Sequence, residues 1–315
     1  MSRLKLVRSA LADLRQAWYS LASSNRWAVA LLLASGLAHI PLLLISEIAW
    51  DEPTSFRKPI LFGISTGLTL WSCLWVIGNL RPHQWDKPAG KLLSGSLVAE
   101  VVLITLQAWR DTRSHFNGDG LINSSIELLM LILIAIATAI IVWICVRTFL
   151  PRELSRQTPP GTSLVTPAMR LAICHGMLLL VVSCLLGFVI TAVGKSAQQQ
   201  GIAPELFGQR GVLKFPHGAA LHAIQTLVVL AWFCNAIQQR RSWLCMGSAI
   251  IAHFAWLTYA LSQTFRGKGR WEMDSISYLL LAITIGATLI TVGMLMTTLL
   301  VSLRRAASDQ LPASS

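Results

Sequence analysis

Long apolar runs, interrupted by short polar clusters, dominate this chain. Eight of them are long enough to cross a bilayer: 27–48, 59–80, 92–109, 126–150, 169–193, 217–237, 243–265 and 275–303. A helix needs about 20 mostly apolar residues to span the hydrocarbon. In lipid the backbone must satisfy its own hydrogen bonds, which leaves helices or closed barrels. Runs of this length predict an all-α fold, a polytopic transmembrane helical bundle of eight spans. Ahead of the first run, Leu4, Val7, Leu11, Leu14, Trp18 and Leu21 recur at helical spacing, with Lys5, Arg8 and Arg15 off that stripe. Residues 1–26 thus read as a basic amphipathic helix on the membrane surface; a disordered basic tail is the alternative. The first run has no small-residue cleavage pattern behind it and reads as a signal anchor.

Composition agrees. The chain is 54% hydrophobic and 13% charged, where a soluble domain carries about 25% charged residues. A net charge of +12 invites a nucleic-acid reading, but sorting the charges by loop removes it. With the N-terminus in the cytoplasm, the cytoplasmic segments hold 16 Lys/Arg and 4 Asp/Glu, while the outer segments hold 10 and 9. The basic excess lies on one side, as the positive-inside bias demands. The partner is the lipid bilayer, no nucleic acid is implied, and both termini are expected in the cytoplasm. All six cysteines fall within or beside spans and none forms a CxxC pair. They read as packing residues, not a disulfide framework.

The chain also repeats itself. Gln107-Ala-Trp-Arg110 closes span 3 and Gln263-Thr-Phe-Arg266 closes span 7. Pro59 and Pro216 open spans 2 and 6, Thr69-Leu70 matches Thr226-Leu227, and Trp75 matches Trp232. In spans 4 and 8, Ser125-Ile126 matches Ser275-Ile276 and Ala137-Thr138 matches Ala287-Thr288. Two four-span units, 27–150 and 169–303, are therefore expected in tandem, with a cytoplasmic linker at 151–168 and a tail at 304–315. Four spans is an even number, so the units share one orientation about an axis normal to the membrane. Such an axis is expected to bring the two Gln/Arg ends toward a shared centre.

Ionisable groups inside a span are costly and mark candidate sites. Glu100 is the one carboxylate near mid-span; it reads as a proton- or cation-accepting group in a cavity, or as a structural tie between helices, with His253 a possible partner. Gln107, seven residues on, shares nearly its face. His217 and His222 in span 6 are five apart, about 140° of rotation, which argues against a metal pair from that helix alone. His115 could complete a metal site with them. Gln225 shares a face with His222. His39 and His175 read as satisfied core histidines. A haem would need facing histidines on different spans, for which His39, His222 and His253 are the choices. Ser114-His115 is a Ser/His pair, but adjacent side chains are expected to diverge, and no GxSxG elbow occurs. Lys58 and Lys214 sit beside helix N-termini, where free amides favour anions, with Arg110 and Arg266 nearby. The alternative for these cations is snorkelling to lipid phosphates.

Lys58-Pro59, Glu100, Gln107-x-x-Arg110, Ser114-His115-Phe116-Asn117, Pro216-His217, Leu221-His222-Ala-Ile-Gln225 and Gln263-x-x-Arg266-Gly267 occur in that order. On these residues the chain resembles a family of bacterial multi-span membrane proteins to which no activity is attached. The resemblance implies the bacterial cytoplasmic (inner) membrane. That family often places Gly after the first Arg; Asp111 stands there here, so an altered turn is expected.

The leading expectation is a polar pocket open to the extracytoplasmic side that binds or transports a small anion or lipid headgroup. Its residues are Lys58, Gln107, Arg110, Ser114, His115, Asn117, His217, His222, Gln225, Gln263 and Arg266. One alternative is an enzyme at the outer leaflet with His115, His222 or Glu100 in acid/base chemistry. Another is a redox protein holding haem or a divalent metal; the sequence itself calls for no cofactor. Oligomeric state is not encoded in these patterns.

Overall fold

Backbone polar groups in hydrocarbon must pair within their own segment, and apolar runs of this length do so as helices. The computed structural model describes residues 3–46, 48–50, 52, 54–154, 165–202 and 210–308. Among them are ten α-helices and no strand: α1 (Arg3–Tyr19), α2 (Ser23–Ile45), α3 (Arg57–Asn79), α4 (Asp86–Trp109), α5 (Gly120–Phe149), α6 (Pro167–Gln199), α7 (Lys214–Leu221), α8 (Ala223–Ala236), α9 (Ser242–Phe265) and α10 (Ser275–Ser308). Eight stretches of the described residues are long and apolar enough to cross a membrane, with α7 and α8 together forming the sixth. The chain is thus an integral, multi-pass membrane protein. The central part of the expected linker, 155–164, and the tail from 309 lie outside the described residues.

Hydrogen bonds between loops sort the connections into two faces. On one face Arg81 N donates to Glu153 O at 2.9 Å, joining the α3–α4 and α5–α6 connections. Gln239 Nε2 reaches Met294 O at 2.9 Å there, and Trp232 Nε1 donates to Asp13 of α1 at 2.8 Å. This is the terminal face. On the opposite face Gly211 N donates to Lys268 O at 3.2 Å, and Gln198 Nε2 to Phe116 O at 3.1 Å. This is the His115 face.

Two features hold the bundle close. Without a hydrophobic driving force between helices, small residues that admit close approach favour packing in lipid. A Cβ on Gly63 of α3 would lie 2.6 Å from Gly36 N of α2, and one on Gly176 of α6 would lie 2.7 Å from Ile224 Cα of α8. The terminal face is pinned by Arg147, which is 5% exposed. Its guanidinium donates to Asp86 Oδ1 at 2.5 Å, Glu153 Oε2 at 2.8 Å and Arg81 O at 2.6 Å, and lies over the Trp143 ring. The opposite behaviour marks α10, whose Ile276, Leu279, Ile283, Leu289 and Ile290 are exposed, as suits a helix turned to lipid.

The sequence did not announce a break in the sixth span. At His222 the backbone (φ −100°, ψ 11°) leaves helical geometry for one residue between α7 and α8. Pro59 and Pro216 each stand third in their helix; the ring is tolerated there because first-turn N–H groups have no intrahelical acceptor.

Candidate functional site

One face of α3 organises the site. Lys58, Phe62, Ser65 and Thr69 follow at spacings of four, three and four, which stacks them along a single stripe. Each meets a different partner. Lys58 Nζ donates to Ser114 Oγ at 3.0 Å. The Phe62 ring packs against His115, with centroids 6.1 Å apart. Ser65 Oγ and His222 Nε2 are 3.1 Å apart, and Gln225 Nε2 lies 3.4 Å from Thr69 Oγ1. The upper two contacts are to the loop after α4. The lower two are to α7–α8 across the bundle.

That loop, 110–119, is shaped by its own side chains. Phe116 takes a left-handed conformation (φ 56°) that is uncommon for a non-glycine residue. Its ring lies where a Cβ on Gly194 of α6 would stand, so glycine there makes the seat. Phe116 O accepts from Gln198 and Phe116 N donates to Glu127 Oε1. Asn117, 6% exposed, donates to Arg113 O at 2.8 Å and accepts from Asp119 N, so it braces the turn. With the loop bent this way, Ser114 Oγ and His115 Nδ1 come within 2.9 Å. The expected divergence of these adjacent side chains is therefore corrected: Lys58 holds the hydroxyl from below while Phe116 turns the chain.

His115 stays neutral well into the acid range. Loss of solvent around the ring, with the positive charges of Lys58 and then Lys214 adding to it, pushes its pKa down to about 3. The ring therefore acts as a hydrogen-bonding group, not a cation, at neutral pH.

The other histidines are placed separately. His217 is tied to α6, where its Nδ1 lies 2.8 Å from Ser183 O and its own carbonyl accepts from Ser183 Oγ at 2.9 Å. His222 is tied to α3. Neither hydrogen-bonds His115 among the described residues. Among the described residues no group of three or more His, Cys, Asp or Glu side chains is arranged to hold a metal ion. His39 uses Nδ1 on Ser35 O and Nε2 on Trp109 Nε1, and His253 uses Nδ1 on Ala249 O and Nε2 on Thr226 Oγ1. His253 is thus engaged within its own half and does not pair with Glu100. His175 lies between the Phe149 and Phe254 rings.

The two Gln/Arg ends form matched caps. After α4, Thr112 N donates to Gln107 O at 3.0 Å; after α9, Lys268 N donates to Gln263 O at 2.9 Å. Both are the six-to-one closure of a left-handed helix cap. Asp111 (φ 51°) and Gly267 (φ 63°) occupy the same left-handed position. A short polar residue such as Asp111 tolerates that conformation better than most. Gln107 and Gln263 are 0% and 1% exposed. Gln107 Oε1 accepts from Arg110 at 2.6 Å, while Nε2 donates to Asn123 at 3.2 Å. Gln263 Oε1 accepts from Arg266 at 3.2 Å, while Nε2 donates to Glu272 O at 2.8 Å. Arg266 is further paired with Asp274 at 2.5 Å, a hold that keeps the half-buried Asp274 carboxyl well below the usual range. Each cap closes on its own loop and the next helix, and among the described residues no hydrogen bond joins the two ends.

Several residues of the site were not singled out as such in the sequence: Phe62 gives no polar signal, Ser65 and Thr69 are inconspicuous within an apolar span, and Glu127 and Lys195 lie near span ends. Glu127 Oε1 lies 3.6 Å from Lys195 Nζ across α5 and α6. Both line a small cavity with Glu100, His115, Phe116 and Thr191.

Compared with known proteins, the chain matches no family model, no curated protein and no solved structure.

Proposed function

We propose that the His115 face carries a pocket for one anionic group, either a small inorganic anion or the phosphate of a lipid headgroup. One observation carries this reading: Lys58, at the start of α3, and Lys214, at the start of α7, both act electrostatically on His115, and among the described residues Lys58 is partnered by a neutral hydroxyl instead of a carboxylate. An ammonium beside a helix N-terminus, with a serine hydroxyl at hand, suits a phosphate or a similar oxyanion. Lys58, Ser114 and His115 make the contacts in this proposal. His217, His222 and Gln225 form the wall below, and the Gln107/Arg110 and Gln263/Arg266 caps shape the rim. The positive-inside bias supports an extracytoplasmic His115 face in a bacterial cytoplasmic membrane, with both termini inside. The matched caps support a duplicated four-span unit, with the Ser65–His222 contact near its axis.

The test uses the purified protein in neutral detergent. Inorganic phosphate, or phosphatidylglycerol in mixed micelles, raises the melting temperature of the wild type by mass action. Lys58→Ala removes the rise. A response to the lipid alone selects the headgroup, and no response to either probe overturns the pocket.

The contact between Ser114 Oγ and His115 Nδ1 favours a second reading, an enzyme at the outer leaflet with Ser114 as nucleophile and His115 as its base. A fluorophosphonate probe then labels Ser114 in the intact protein, and His115→Gln prevents the labelling. An unlabelled Ser114 at saturating probe sinks this reading.

A further inference from the structure

Glu100 on α4 is 5% exposed, and its Oε2 has no hydrogen-bond partner among the described residues. A buried polar atom without a partner is costly, and an ionisable one retained within a span marks function. The oxygen is not sealed in hydrocarbon. Glu100 lines a cavity of about 30 Å³ together with His115, Phe116, Glu127, Thr191 and Lys195. A water needs about 10–15 Å³ by this measure, so the cavity holds about two. His115 borders the same space. Its Nδ1 is taken by Ser114 Oγ, which in turn accepts from Lys58 Nζ. That leaves Nε2 as the ring nitrogen available to the cavity. Groups with exchangeable protons thus follow one another from the His115 face inward: Lys58, Ser114, His115, cavity water, Glu100.

We propose that Glu100 is a buried proton-binding site, filled from the His115 face through Lys58, Ser114, His115 and water in the cavity. In loading, Lys58 gives a proton to Ser114 Oγ as the Ser114 proton passes to His115 Nδ1. The Nε2 proton passes to cavity water, and that water gives one of its protons to the Glu100 carboxylate. One N–H or O–H bond breaks at each donor and one forms at each acceptor. Lys58 regains its proton from the aqueous phase, so the net change is one proton moved from solution to Glu100. Release along the same chain in reverse restores the starting tautomer of His115. The neutral state of His115 at neutral pH fits a relay, because a neutral imidazole both donates and accepts.

The surrounding charges leave Glu100 as the landing point. Glu127 on α5 is already compensated by Lys195 of α6 and by Phe116 N. Toward this end of the bundle α3 contributes Arg57 and Lys58, and α2 contributes His39, which is bonded to Trp109 of α4. The site needs no bound anion, and its relay shares Lys58, Ser114 and His115 with the pocket proposed above.

Infrared difference spectroscopy of the full-length protein in lipid nanodiscs tests the proposal. A carboxylic C=O band that comes and goes with buffer pH, and is missing in Glu100→Gln, assigns protonation to Glu100. On transfer to D₂O that band shifts within the mixing time in the wild type. In Ser114→Ala and in His115→Phe the shift is slowed by at least about tenfold, the scale on which a positioned side chain aids proton transfer. Ser114→Ala keeps the loop's volume and reports even where His115→Phe fails to fold. Absence of any Glu100-dependent band across the pH range, or unchanged exchange in Ser114→Ala, overturns the proposal.

Discussion

Ser65 Oγ on α3 and His222 Nε2 at the α7–α8 break lie 3.1 Å apart and join the first four spans to the last four. A net hydrogen bond of this kind contributes about 1 kcal/mol. Ser65→Ala is therefore expected to lower stability in detergent by about that amount. A double-mutant cycle with His222→Ala should return a coupling of about 1 kcal/mol, whereas additive losses would show that the contact carries no energy.

The Gly36–Gly63 approach is tighter than any Cβ permits. Gly63→Ala should separate α2 from α3 and destabilise by about 1–3 kcal/mol, as overpacking does. Gly95→Ala on α4 meets nothing within 4 Å among the described residues and should leave the melting temperature unchanged or slightly raised. Equal effects of the two substitutions would refute the packing account.

His115 sets an acid limit. Its folded pKa of about 3 lies below the ordinary value of 6.5, so between these values the unfolded chain binds a proton that the folded chain refuses. Stability thus falls as pH drops from 6.5 toward 3, and His115 has no such effect at neutral pH. His115→Gln removes this contribution. Melting temperatures followed from pH 7 to 4 should decline less steeply in the variant; parallel curves would contradict the shift.

Arg147 is the hub of the terminal face, with side-chain exposures of 6% for Arg147 and 17% and 20% for Asp86 and Glu153. Removing one partner of a buried ion group costs about 3–5 kcal/mol, chiefly from the charges left behind. Arg147→Met is expected to lose about 3 kcal/mol. The exposed Arg210–Glu272 pair, at 75% and 40%, offers the contrast: Arg210→Met should be close to neutral. Chemical unfolding in micelles compares the two, and a loss below about 1 kcal/mol for Arg147→Met would rule out the hub role.

Asp111 holds the position that Gly267 holds in the matching cap. Glycine enters that conformation without the Cβ penalty. Asp111→Gly should raise the melting temperature by the equivalent of about 0.5–1 kcal/mol. A drop would mean that the Asp111 side chain supports the loop in some other way.

Sequence alone determined the eight spans, because hydrocarbon thickness and backbone pairing impose a length and an apolarity that any reader of the chain can count. It also marked Lys58, Glu100, Ser114, His115 and His222, because polar groups are conspicuous in an apolar chain. It misread how they pair. Ser65 and Phe62 are silent in a composition, yet the α3 stripe they complete decides what His115 and His222 touch. Gln107 and Gln263 stand out in the sequence as polar groups at span ends, and only the structure shows them as buried braces of helix caps. Glu127 and Lys195 carry no distinguishing signal in the sequence, yet they wall the cavity beside Glu100. Helical spacing fixes which residues share a face of one helix, and that much is local. Which face meets which neighbour depends on close approaches such as Gly36 to Gly63 and Phe116 to Gly194, which arise from packing between distant segments, and only the tertiary structure decides them.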